Sequence, residues 1–144
     1  MISYRPATLD DLGILSTIEQ ACFADPWNDL MLQEELSVPG SVYTLMLEDE
    51  VVVGYYSYMH IIDEAHILNV AILPAYQGRG LGKQMMRHLI DTLPSDVKGV
   101  TLEVRDGNKR AIALYEGCGF AFAGKRPGYY LNKEDARIYW LKKE

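Results

Sequence analysis

The feature that most constrains the fold of this chain is a glycine-rich turn between an apolar strand and an amphipathic helix. It runs Tyr76-Gln77-Gly78-Arg79-Gly80-Leu81-Gly82-Lys83 and follows the strand-like segment 65–73, which ends at Pro74. Glycines let the backbone approach a ligand, and the N–H groups and dipole at a helix start attract phosphate. Arg79 and Lys83 add positive charge there. The pattern predicts a strand–turn–helix unit that binds a phosphorylated ligand; glycines that only permit tight packing are the alternative.

The spacing of the turn excludes two common phosphate-binding loops. A Walker A loop needs GxxxxGK followed by Ser or Thr, whereas Gln84 follows Lys83. The glycines at 78, 80 and 82 run GxGxG, not the GxGxxG of dinucleotide-binding domains. Neither a nucleoside-triphosphatase nor a nicotinamide-dependent enzyme is therefore indicated.

The apolar periodicity along the chain predicts an α/β (α+β) fold in the order β-α-α-β-β-β-α-β-α-β-β. Hairpins alternate with crossovers, which predicts a mixed, mostly antiparallel sheet of about seven strands with helices on both faces. The expected strands cover 2–7, 41–47, 51–59, 65–73, 99–104, 120–126 and 136–141. The expected helices begin near 10 or 11, run from 28 to 36, extend from the glycine-rich turn to Pro94, and cover 109–118.

Composition narrows the class of protein. The chain has 144 residues, 49% of them apolar and 24% charged, which is typical of one folded domain, and we expect 1–144 to form it. The formal net charge of −6 argues against nucleic-acid binding through a basic face. The first residues lack a signal-peptide pattern, and no apolar run has membrane-spanning length. We expect a cytoplasmic protein, monomeric or a small homo-oligomer, that binds neither nucleic acid nor membrane.

Cysteine and histidine positions predict no metal site. Cys22 and Cys118 lie far apart and form neither a disulfide framework nor a metal knuckle. His60 and His66 share no ligand spacing with a cysteine or acidic cluster, and His88 falls on the polar side of its predicted helix.

Two motifs together resemble the GCN5-related N-acetyltransferase (GNAT) family. Gln77, Gly80 and Gly82 match the family's acetyl-coenzyme A motif, Gln/Arg-x-x-Gly-x-Gly/Ala. The family's second half is matched by Leu102-Glu103-Val104-Arg105, by Asn108 and by Ala111-Ile112-Ala113-Leu114-Tyr115-Glu116-x-x-Gly119-Phe120. The order of elements is similar over essentially the whole chain, so the resemblance implies the GNAT fold.

Within the family, the chain most resembles the ribosomal-protein-alanine N-acetyltransferases (the RimI group). Phe23-Ala24-Asp25-Pro26-Trp27, Tyr129-Tyr130 and Glu134-Asp135-Ala136 carry this resemblance. The group usually has Phe-Pro-Trp, whereas Ala24-Asp25 separates Phe23 from Pro26 here, which leaves the acceptor open. Gly78 stands where Arg or Lys is common, a departure that barely affects cofactor binding.

The resemblance implies acetyl-coenzyme A (acetyl-CoA) as cosubstrate and assigns the residues that hold it. Backbone groups of Val70, Ala71 and Ile72 would bind the pantetheine arm and the acetyl carbonyl. Asn108 would contact the cofactor near its thiol. Gln77 belongs to the motif, and the pyrophosphate would be held by the turn amides of Gly78, Arg79, Gly80, Leu81, Gly82 and Lys83.

By the same resemblance, Glu103 is the general base, acting through a water, and Tyr115 is the general acid. Trp27, Tyr129 and Tyr130 would bind the first residues of a polypeptide. Each has a plainer interpretation: Glu103 as a solvated carboxylate beside a cation, Tyr115 as a core aromatic residue, the three aromatic residues as a packed loop cluster. Asn108 is also the expected cap of the helix over 109–118.

The implied activity is direct transfer of an acetyl group from acetyl-CoA to a protein's N-terminal amine in a ternary complex. The expected acceptor is the N-terminal alanine of a ribosomal protein. Two alternatives remain: acetylation of a small amine such as a polyamine, amino acid or antibiotic, and a non-catalytic acyl-CoA sensor. A sensor needs neither Glu103 nor Tyr115, so their presence speaks against it.

Overall fold

The computed structural model describes residues 1–23 and 26–143. Their strands form one seven-stranded sheet in the order β1-β2-β3-β4-β5-β7-β6. Neighbouring strands are antiparallel except β4 and β5, which are parallel. This confirms the predicted mixed sheet. The strands are β1 Ile2–Pro6, β2 Ser41–Glu48, β3 Val51–Ile61, β4 Glu64–Ile72, β5 Gly99–Arg105, β6 Ala121–Arg126 and β7 Ala136–Lys142.

Four α-helices in the described residues cover the two faces of the sheet, as predicted. They are α1 Leu12–Cys22, α2 Asp29–Leu36, α3 Leu81–Asp91 and α4 Lys109–Gly117. Helices α1 and α2 bury one apolar cluster against β2 and β3, whereas α3 and α4 bury a larger one on the other face. Two short 3-10 turns, Leu9–Asp11 and Pro74–Tyr76, were not predicted. Within residues 1–23 and 26–143, no helix is long and apolar enough to cross a bilayer.

His88 does not lie on a solvated face of α3, so that prediction is wrong. Its ring stacks on Tyr4 with centroids 3.6 Å apart, and its Nδ1 lies 3.1 Å from the Tyr56 hydroxyl. The edge strand β1 extends the sheet beneath this flank of α3, so the helix buries a wider surface than its apolar stripe indicates. Burial lowers the pKa of His88 and favours the neutral ring.

The parallel pairing of β4 and β5 is short, and the candidate site lies where this pairing ends. It spans four residue pairs and ends at Ile67 and Leu102. Strand β4 then continues to Ile72 along β3, and β5 continues to Arg105 along β7. An extra residue in β4, Leu68, interrupts its register with β3. The sheet therefore splits between β4 and β5 towards their carboxyl ends.

Candidate active site

The split in the sheet joins two cavities into one path. The cleft, about 590 Å³, lies between β4, β5 and the loop 127–135. The groove, about 550 Å³, lies between the end of β4, the glycine-rich turn and α4. Phe23, Val70, Asn108 and Ala111 line both cavities. A ligand in the groove can therefore reach the cleft through the gap between the two strands.

The glycine-rich turn forms one end of the groove. Gly78 and Gly80 have φ angles of 80° and 76°, and a Cβ at either position would meet no atom within 4 Å. Backbone conformation, not crowding, therefore favours glycine at both. Helix α3 begins at Leu81, so its first N–H groups have no partners within the helix and its positive end faces the groove. Lys83 lines the same end, and the arrangement fits a pyrophosphate.

The other residues expected to hold the cofactor occupy the groove wall, with one exception. Gln77 braces the turn, because its Nε2 donates to the Ile72 carbonyl at 2.8 Å and its Oε1 accepts from Arg110 at 2.8 Å. The side chain of Arg79 instead pairs with Glu48, whose pKa it lowers, and does not line the groove. The remaining lining residues predicted from sequence are Val70, Ala71, Ile72, Gly78, Gly80, Leu81, Gly82, Lys83 and Asn108.

Glu103 lies on β5 and lines the cleft. Its neighbours Leu102 and Val104 are buried on the opposite face, as the alternation predicts. Its carboxylate lies 3.5 Å from Nε of Arg126, and its side chain is 32% exposed, so a water can reach it. Its negative charge raises the pKa of the neighbouring Tyr129. Glu103 therefore has a cation beside it, yet faces the cleft.

Tyr115 reaches the cleft from α4 on the other side of the split. Its ring is buried and meets Phe120 edge-on, with centroids 6.0 Å apart. Burial raises the pKa of the hydroxyl, and Tyr130 raises it further. The hydroxyl is therefore protonated at neutral pH and can donate a proton or a hydrogen bond.

Aromatic and apolar side chains form the outer wall of the cleft. Trp27, Tyr129 and Tyr130 all line it, as does Leu131, which is 86% exposed. The Ala24-Asp25 departure lies outside the described residues. The wall combines the segment after α1 with the loop 127–135.

The loop 127–135 is held in place by contacts with the β5–α4 turn. The guanidinium of Arg105 stacks 4.1 Å from the centre of the Tyr130 ring and donates to Glu134 Oε1 at 3.3 Å. Glu134 Oε2 accepts from the Gly107 N–H at 2.7 Å. Glu134 therefore ties the loop to the strand that carries the candidate base.

Sequence reasoning missed several lining residues, among them Glu19, His66 and Asn69. A signal existed for Glu19, because it lies between Ile18 and Cys22 within the apolar stripe of α1, where a carboxylate is unexpected. His66 and Asn69 carry no such signal, because the sequence of a strand does not distinguish residues that face a cleft from other half-exposed residues. Among the described residues, no three His, Cys, Asp or Glu side chains are grouped to hold a metal ion.

A glycine-rich turn that fits a pyrophosphate, a split between parallel strands, and a cleft lined by both a carboxylate and a neutral tyrosine together indicate a two-substrate group transferase. Residues 13–120 match the model of the acetyltransferase (GNAT) family. The chain belongs to this family and is an acetyl-CoA-dependent N-acetyltransferase, as the motifs predicted.

Individual relatives have similar length and fold. The ribosomal protein bS18-alanine N-acetyltransferase of Escherichia coli (strain K12) is 37% identical over 137 residues, covering 91% of this chain and 90% of that one. Its counterpart in Salmonella typhimurium is 36% identical, covering 92% and 97%. The crystal structure of the Escherichia coli ribosomal-protein-S18-alanine N-acetyltransferase superposes with a TM-score of 0.91 at 32% identity, covering 100% and 95%. The GNAT fold is confirmed.

Proposed function

We propose that this enzyme acetylates the N-terminal amine of a protein, with the N-terminal alanine of a ribosomal protein as its substrate. The observation that carries the proposal is the continuous path from the glycine-rich turn to a cleft that contains both Glu103 and Tyr115. The bS18-alanine acetyltransferases similar to this chain over nine-tenths of its length support that acceptor.

Glu103 and Tyr115 supply two of the proton transfers that the reaction needs, and water supplies the third. An N-terminal ammonium loses a proton through a water to Glu103, which leaves a neutral amine. The nitrogen attacks the thioester carbonyl carbon, so that a C–N bond forms and the C–S bond breaks. The departing thiolate takes the Tyr115 proton, the attacking nitrogen gives up its second proton to water, and solvent then restores the proton on Tyr115. Backbone groups of Val70, Ala71 and Ile72 hold the acetyl end of the cosubstrate during the attack.

The cysteines support direct attack without an acyl-enzyme. Cys22 lines the groove, but its Sγ donates to the Ile72 carbonyl at 3.3 Å, and burial raises its thiol pKa. Burial also raises the pKa of Cys118. A nucleophilic cysteine needs a lowered pKa or an adjacent base. Neither thiol is activated, so the amine itself is the nucleophile.

The wall of the cleft favours a polypeptide over a small amine. Tyr129 and Leu131 stand exposed at its rim, so a chain can extend outward from the reacting amine. We further propose that the enzyme acts in the cytoplasm as a monomer or small homo-oligomer, without nucleic acid or membrane. Its net charge of −6 disfavours a polyanionic partner.

Acetyl transfer to a panel of acceptors tests the function. The acceptors are peptides that begin with Ala, Ser, Met or Gly, together with spermidine and free amino acids, and thiol release measures turnover. We expect the fastest turnover on the Ala-first peptide and none when its amino terminus is blocked. Turnover on the small amines alone would overturn the proposed acceptor, and tight acetyl-CoA binding without any transfer would favour a sensor.

A further inference from the structure

Glu19 is a buried carboxylate that the mechanism above does not use. It lies in α1, is 1% exposed and lines the cleft. Burying a charge is costly unless its oxygens are hydrogen-bonded. Oε1 accepts from the backbone N–H of Trp27 at 2.8 Å, and Oε2 accepts from the Tyr55 hydroxyl. One carboxylate thus joins helix α1, the segment that carries Trp27, and strand β3.

Tyr55 anchors this network to the sheet. Its ring is fully buried and stacks on Tyr43, with centroids 5.8 Å apart. Asn69, on the neighbouring strand β4, lowers the pKa of the same hydroxyl and lines the cleft. Burial raises the pKa of Tyr55, and Glu19 raises it further, so the hydroxyl stays protonated as the donor. The hydrogen-bonded network therefore runs from the Trp27 backbone through Glu19 to Tyr55 in the sheet.

We propose that Glu19 is a positioning residue that fixes Trp27, which lines the cleft, relative to helix α1 and strand β3 and so sets affinity for the acceptor peptide. This inference rests on the proposed function. The atom held is the Trp27 backbone nitrogen, and α2 begins directly afterwards with Asn28 as its cap. Without the carboxylate, the Trp27 backbone loses its hydrogen bond to α1, and only apolar packing against the cluster on α1 and β3 still holds the residue.

Two substitutions at Glu19 separate positioning from general stability. Glu19→Leu introduces an apolar side chain of similar size that accepts no hydrogen bond, whereas Glu19→Gln retains one acceptor oxygen for Trp27. We expect Glu19→Leu to raise the KM of the acceptor peptide about tenfold, because a charge-assisted hydrogen bond is lost. Glu19→Gln should raise it less. In both variants kcat and the KM of acetyl-CoA should stay near wild type.

A double-mutant cycle with Trp27→Ala distinguishes positioning from direct contact with the acceptor ammonium. If Glu19 acts through Trp27, adding Glu19→Leu to Trp27→Ala should raise the acceptor KM little further. An equal rise in both backgrounds would overturn the proposal, because Glu19 would then act on the acceptor itself. Tyr55→Phe, which removes one of the two hydrogen bonds, should change the acceptor KM in the same direction as Glu19→Gln.

A fluorescence measurement tests the proposal without any acceptor. The chain has two tryptophans, so Trp140→Phe leaves Trp27 as the single tryptophan, which can be excited selectively over the tyrosines. In that background Glu19→Leu should increase acrylamide quenching of Trp27 and lower its anisotropy while unfolding stays cooperative. Unchanged quenching and anisotropy would overturn the positioning role. Failure of the wild-type enzyme to acetylate any peptide would overturn the proposed function and leave this result standing.

Discussion

Asn108 performs two roles that one pair of substitutions can separate. Its Oδ1 accepts from the Ala111 N–H at 3.2 Å and caps α4, and its side chain lines both cavities. Asn108→Ala removes the cap and should cost about 1 kcal/mol. For a chain of this size that corresponds to roughly 3 to 4 °C in Tm. Asn108→Asp keeps a capping oxygen and favours the helix dipole, so its Tm should equal or exceed that of wild type.

Acetyl-CoA binding then reports the second role. If the Asn108 amide contacts the cofactor near its thiol, Asn108→Ala should weaken binding about five- to tenfold, as expected for one lost hydrogen bond. Asn108→Asp should weaken it at least as much, because a carboxylate lacks the N–H donors and repels a polyanionic ligand. Calorimetric titration measures both variants. Wild-type acetyl-CoA affinity in Asn108→Asp, together with a destabilised Asn108→Ala, would show that Asn108 is a cap and nothing more.

Four further outcomes follow from the site and its surroundings. Tyr115→Phe should lower kcat about a hundredfold or more, while acetyl-CoA affinity in titration stays unchanged because the ring keeps its packing on Phe120. Since burial raises the Tyr115 pKa, kcat should not fall through ionisation of this hydroxyl at any pH below about 10. A fall in kcat that begins below that pH and is absent in Tyr115→Phe would contradict this expectation. The hydrogen bond from Arg5 lowers the Asp11 pKa. The stability that this pair contributes is therefore complete above the unfolded-state pKa of Asp11 and is lost as pH falls through its folded-state pKa. In urea unfolding, the free energy of unfolding of Arg5→Gln should fall less at acid pH than that of wild type. Gly80→Ala places a side chain at a φ of 76°, which should lower the free energy of unfolding in urea by about 1 to 2 kcal/mol and raise the KM of acetyl-CoA. A variant with wild-type stability and wild-type KM would refute the conformational argument.

Local patterns were enough to predict most elements of the fold. The apolar stripe of α1 and the alternation in β5 both express which face is buried, and burial is a local, periodic signal. Asn108 caps α4 as predicted, whereas Asn28, expected as the first residue of its helix, caps α2. Gly119, with a φ of 96°, follows α4 as expected of a helix-ending glycine.

Features that depend on contacts between distant segments could not be predicted. The split between β4 and β5 arises because each strand continues along a different neighbour, which no periodicity records. The interpretation of His88 failed for the same reason, since β1 covers that flank of α3 from far away in the chain.

The candidate site shows the same division. Resemblance to a family supplied Glu103 and Tyr115, which lie on different elements and which spacing alone does not bring together. Glu19 was missed although its burial contradicts its charge, because only the structure shows the Trp27 and Tyr55 groups that satisfy it.

The most direct test of the central claim is where the acetyl group goes on a single substrate. The wild-type enzyme is incubated with acetyl-CoA and a peptide that begins with Ala and contains an internal Lys, and tandem mass spectrometry locates the modification. We predict that the wild-type enzyme acetylates the N-terminal amine alone. Glu103→Gln should acetylate it much more slowly, although its acetyl-CoA binding is unchanged. Acetylation of the lysine side chain, or equal turnover in Glu103→Gln, would contradict the account.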